Sequence, residues 1–87
     1  MTPAENLPFP PSPPPNISPT SCHGFNDAIP KFLRQHMRMY IYVWMYTGQS
    51  FWMYPVSLNN ERIYGHIWNG QRWVYTRFFW NSMESFA

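Results

Sequence analysis

The groups in this 87-residue chain that can do acid–base, nucleophilic or metal chemistry are few: four acidic side chains, three histidines and one cysteine. General acid–base catalysis needs two titratable groups held within reach of one substrate. Here Glu5 lies in an N-terminal arm, Asp27 at a helix start, Glu61 in a turn and Glu84 near the C-terminus, so no pair forms. No Ser, Thr or Cys stands in a recognisable setting with a histidine and an orienting carboxylate, and no glycine-rich phosphate loop occurs. Cys22 and His23 are adjacent rather than spaced, and neither C-x-x-C nor H-x-x-x-H is present, so His23, His36, His66 and Cys22 do not compose a zinc set. The expectation is a non-catalytic chain without cofactor or metal. A single cysteine also leaves no internal disulfide, and the redox compartment stays open.

The abundant chemistry is that of rings. Aromatic residues make up 21% of the chain and charged residues 11%, whereas an ordinary soluble domain carries about 25% charged residues. Rings bury large areas, stack, and favour strands. A net charge of +2, with Lys31, Arg34, Arg38, Arg62, Arg72 and Arg77 scattered, argues against nucleic acid as a partner. A domain of roughly 65 residues buries only about 60% of the surface its unfolded chain exposes. With no disulfide or metal to add stability, a second copy of the chain is the expected partner, and a surface polymer or glycan the alternative.

The elements that must position these rings follow from punctuation and period. Residues 1–21 hold eight of the ten prolines, including Pro13-Pro14-Pro15. They form an arm that favours extended polyproline II and is expected to be disordered. The PxxP spacings between Pro8 and Pro15 have no flanking basic residue and read as a tether. Asn16-Ile17-Ser18 matches a glycosylation sequon, but no secretory signal precedes it. The folded domain is expected over residues 22–87. It opens with a helix over 26–36, capped by Asn26 or Asp27, with Pro30 in its first turn and an apolar stripe of Ile29, Phe32, Leu33 and His36. From Met37 to Tyr46 the period becomes two: aliphatic or Met at odd positions and, from Tyr40, aromatic at even ones. Both faces of that strand are therefore apolar. Met39 to Leu58 carries no charge, but Thr47-Gly48-Gln49-Ser50 and Pro55 interrupt it, so a membrane span is not expected.

Asn69-Gly70, between two β-rich runs, predicts a tight hairpin turn with positive φ at Gly70. A two-residue loop there pairs Trp68 with Gln71, His66 with Trp73 and Tyr64 with Tyr75. The run Tyr46 to Tyr54 echoes Trp68 to Tyr75, with one inserted residue, and predicts an earlier hairpin turning at Thr47-Gly48. That register pairs Val43 with Trp52 and Ile41 with Tyr54, brings Met39 towards Val56, and places Pro55 at an edge or a bulge. Leu58-Asn59-Asn60-Glu61 joins the two hairpins. The fold expected is all-β (small α+β at most): a four-stranded antiparallel meander of two hairpins with one short N-terminal helix. Tyr42, Trp44, Tyr46, Tyr64, Trp68, Trp73 and Tyr75 project as an aromatic face for an interface or a ligand. Whether the two hairpins share one sheet face is left open by the sequence.

The segment Gly65-His66-Ile67-Trp68-Asn69-Gly70-Gln71-Arg72-Trp73-Val74-Tyr75, with Ser85-Phe86 near the end, resembles a group of small uncharacterised proteins of spore-forming Firmicutes. That group has a G-x-x-W-N-G-x-x-W-V-Y core, a closing S-F and an N-terminal part rich in Pro and aromatics. The resemblance covers about a quarter of the chain. It implies no activity, and it suggests a spore or cell surface as the setting. The hairpins are loosely similar to choline-binding cell-wall repeats, without the regular G-W-x-x-x-x-G-x-W-Y-Y spacing. Together these readings favour a structural or self-assembling interaction module, with a carbohydrate-binding module as the alternative.

Overall fold

The computed structural model describes residues 10–15 and 29–87. The remainder of the arm, the sequon, Cys22, His23 and the expected caps Asn26 and Asp27 lie outside the described residues. The chain forms helix α1 (Ile29–Arg34), strands β1 (Ile41–Met45), β2 (Ser50–Leu58), β3 (Arg62–Trp68) and β4 (Trp73–Phe79), a 3₁₀ turn (Trp80–Ser82) and strand β5 (Met83–Phe86). The five strands make one antiparallel sheet in the order β4-β3-β2-β1-β5. The four-stranded meander expected from sequence is thus present. The turn joining its two hairpins makes a third hairpin, and β5 is added against β1.

The helix ends at Arg34, two residues before the expected end, and its stripe is buried as the spacing requires. Ile29 and Leu33 are inaccessible, Phe32 and His36 are half-buried, and Lys31 and Arg34 point to solvent. Residues 35–39 turn instead of opening the first strand at Met37. Arg38 adopts φ +61°, a left-handed conformation that a strand cannot contain. Its N–H donates to the Pro55 carbonyl at 2.8 Å.

The first hairpin departs from the expected register by one residue. Met45 N–H donates to the Gln49 carbonyl at 2.8 Å, and Gly48 N–H to the Met45 carbonyl at 3.0 Å, with Gly48 at φ +95°. This is a three-residue loop closed by a glycine in the left-handed region. The extra loop residue pairs Ile41 with Met53, Tyr42 with Trp52 and Val43 with Phe51, and so turns every β2 side chain to the other face. The second turn differs by two residues. Asn69 Oδ1 accepts the N–H groups of Gln71 and Arg72, each at 2.9 Å, so Asn69 is the turn's first corner and Gly70, at φ +102°, takes its first central place. Trp68 accordingly pairs with Trp73 and His66 with Tyr75. A shift of two leaves each side chain on its expected face.

One face of the sheet holds the core: Ile41, Val43, Met53, Ile63, Met83 and Phe86 against Ile29 and Leu33 of α1. Two features bend the sheet over this core. The β2–β3 register shifts between Pro55 and Ser57, a bulge that increases bend and twist; Pro55 sits at this bulge, as its missing N–H demands. Opposite it, Gly65 is so close that a Cβ would strike the Tyr54 carbonyl oxygen and lie 2.8 Å from Pro55 Cα. The bend is also required by chain length. Strands β4 and β5 are at opposite ends of the strand order, about 19 Å apart in a flat sheet, yet four residue steps, about 14 Å at most, connect Phe79 to Met83. The 3₁₀ turn makes the connection, with Trp80 N–H bonded to the Glu61 carbonyl and Tyr46 N–H to the Ser82 carbonyl.

Candidate functional site: an aromatic sheet face

The face opposite the core is built of rings. Strand alternation and the observed registers place Tyr42 and Trp44 of β1, Trp52 and Tyr54 of β2, Tyr64, His66 and Trp68 of β3, and Trp73 and Tyr75 of β4 on it together. Both hairpins therefore share one sheet face, the question that the sequence leaves open. Of the seven residues expected there, six are on the face. Tyr46 is in the β1–β2 turn and exposed. Trp52 and Tyr54, which the expected pairing set among the aliphatic residues, join the face, and His66 is on it as its expected pairing implied.

The rings gather into two groups. In the first, the Tyr42 ring meets Trp44 at 5.1 Å and Trp52 at 5.2 Å between centroids, both edge-on. The Tyr42 hydroxyl lies 3.0 Å from Ser50 Oγ. In the second, Tyr40 stacks nearly parallel on Trp73 at 5.7 Å and is tilted against Tyr54 at 5.6 Å. Trp68 meets Trp73 edge-on at 5.3 Å, and His66 meets Tyr75 at 5.2 Å. Edge-to-face and offset pairs of this kind add about 0.5–1.5 kcal/mol each beyond area burial. His66 is 2% exposed and is part of this aromatic layer. His36 is remote from it, edge-on to Phe86 at 5.3 Å with Nδ1 2.8 Å from the Phe32 carbonyl.

The proline arm reaches this face. Pro10 is buried, and Pro10, Pro11, Ser12 and Pro13 border a cleft completed by Trp68, Arg72 and Trp73. The Ser12 carbonyl accepts the Trp73 indole N–H and the Tyr40 hydroxyl, both at 2.9 Å. Ser12 N–H donates back to the Tyr40 oxygen at 3.1 Å, and Ser12 Oγ lies 2.8 Å from that oxygen. Pro10 to Pro13 of the arm are therefore held against the sheet. Tyr40 is not among the expected site residues, although its even position in the aromatic alternation is the signal that includes it; in the structure it directly precedes β1.

The outer strand β4 completes the surface. Tyr75 and Phe79 are exposed on this face, Val74, paired with Ile67, is exposed on the opposite one, and Arg62 sits 4.9 Å above the Phe79 ring, a cation–π contact. Among the described residues no three His, Cys, Asp or Glu side chains gather to hold a metal ion. Among them, too, no helix is long and apolar enough to cross a membrane; the uncharged run Met39 to Leu58 supplies β1 and β2. No family model, curated protein or solved structure matches the chain.

Proposed function

We propose that this chain is a non-catalytic, self-assembling interaction module that works through its aromatic sheet face. The observation that carries the reading is β4. It is an outer strand of seven residues, with Tyr75 and Phe79 exposed on the ring-lined face and Val74 exposed on the other. An apolar outer strand offers unpaired backbone groups beside an apolar surface, the arrangement that templates pairing with another chain. Tyr and Trp combine apolar area with a polar edge, which suits surfaces that are wet when free and buried when bound. The resemblance of Gly65 to Tyr75 suggests a bacterial spore or cell surface as the setting of such a module.

Tyr75 is the residue on which to test this, since it is exposed, on β4 and on the aromatic face. Tyr75→Lys puts a charge into the proposed contact and removes little from the core. Sedimentation velocity is expected to show the variant as single chains at concentrations where the wild type is associated, with equal far-UV spectra. An unchanged association state contradicts the reading. A wild type that stays monomeric, and whose tryptophan emission saturates on titration with a soluble cell-wall glycan, favours carbohydrate binding instead.

A further inference from the structure

We infer that the ring surface of Trp73 and Tyr40 on which residues 10–13 lie, beside the cleft they border with Trp68 and Arg72, is a binding site for extended proline-rich segments, with the chain's own residues 10–13 as resident ligand and the same segment of a second copy as the partner it exchanges with. The inference deepens the self-assembly reading and rests on it.

The chemistry of the contact is specific to such segments. A polyproline II strand makes no internal hydrogen bonds, so its carbonyls are free to accept, and its prolines have no N–H to offer. A matching surface must therefore present donors set among flat apolar rings. The ring surface does this: an indole N–H from Trp73 and a phenol O–H from Tyr40 converge on one carbonyl, that of Ser12. Within Pro10 to Pro15 the only backbone N–H belongs to Ser12, and it donates to the Tyr40 oxygen. Pro10 is buried, and the rings of Tyr40 and Trp73 are already stacked 5.7 Å apart. The receiving surface is thus largely made by the sheet and by ring contacts that do not involve the arm.

Exchange follows from the size of the contact. A single serine peptide and its flanking prolines hold the segment, so its retention depends on the tether. Because the segment and its receiving surface belong to one chain, their contact is intramolecular, with an effective concentration of about millimolar order. A second copy competes once its concentration approaches that value, or at lower concentration where other contacts, such as those proposed for β4, add to it. Each arm then occupies the other copy's ring surface, and no new surface is needed.

The test uses the full chain, a synthetic peptide with the sequence of residues 8–15, and a full-length P10G/P11G/P13G variant. The variant's arm loses its extended bias and leaves the sheet unaltered. Titration followed by tryptophan emission is expected to saturate in both proteins, with affinity about tenfold higher for the variant because its own arm no longer competes. Trp73→Phe keeps a ring, removes the indole donor, and is expected to weaken peptide binding about fivefold. Excess peptide should reduce an associated wild type to single chains. Absence of saturable binding to either protein overturns the site. Equal affinity for both overturns the arm as resident ligand. Peptide binding that leaves the associated mass unchanged overturns exchange between copies. A wild type that binds peptide yet is monomeric throughout leaves the site standing and removes self-assembly, which separates the two failures.

Discussion

Gly65 and Gly70 are both required to be glycine, for different reasons, and the difference is measurable. At Gly65 the obstacle is space: a Cβ meets the backbone of Tyr54 and Pro55, which side-chain rotation cannot relieve. Gly65→Ala is expected to cost about 2–3 kcal/mol, at the upper end for overpacking. At Gly70 a Cβ meets nothing within 4 Å, but φ is +102°. Gly70→Val should cost more than the ~1 kcal/mol of losing a glycine's freedom, because a β-branched residue resists that conformation. Asparagine tolerates it better, so Gly70→Asn should recover much of the loss, whereas Gly65→Asn should be at least as damaging as alanine. Urea unfolding of the four variants decides this. Equal losses for Val and Asn at position 70 would contradict the backbone account. The positive φ of Gly70 was legible from Asn-Gly alone. The role of Gly65 was not, because it depends on which backbone crosses it.

Between residues and molecule, the turns decide which face each strand presents. Asn59 and Asn69 make the same turn ten residues apart. Each side-chain oxygen accepts two backbone N–H groups, those of Glu61 and Arg62 or of Gln71 and Arg72, and each asparagine N–H donates to the arginine carbonyl three residues on. Asn59→Ala and Asn69→Ala are each expected to lower stability by about 1 kcal/mol. Because the turns are at opposite ends of β3, the double variant should lose the sum; a loss well short of the sum would show that the turns are not independent. The alternation of Ile41 to Met45 and the turn residues sufficed to read the meander and most of the aromatic face. Loop length was not readable. One extra residue at Tyr46-Thr47-Gly48 moved Trp52 and Tyr54 from the expected aliphatic face to the aromatic one, and an Asx turn moved the Asn69 register by two. Strand β5 carried no local signal. Met83-Glu84-Ser85-Phe86 is short and mixed, and its order comes from pairing with β1 and from the burial of Met83 and Phe86.

Taken whole, the molecule divides its apolar residues between two sheet faces with different fates. The aliphatic face is closed by α1, the 3₁₀ turn and the curvature of the sheet. The aromatic face is met, among the described residues, by Pro10 to Pro13 at one end, while Tyr75 and Phe79 stay exposed on β4. Among the described residues no further element covers that surface, which is why a second copy is the proposed cover. The most direct test is the mass of the full-length wild type by light scattering across a hundredfold dilution. Association through the aromatic face predicts a multiple of the 10.5 kDa chain at high concentration that falls towards 10.5 kDa on dilution. A mass of 10.5 kDa at every concentration would contradict it.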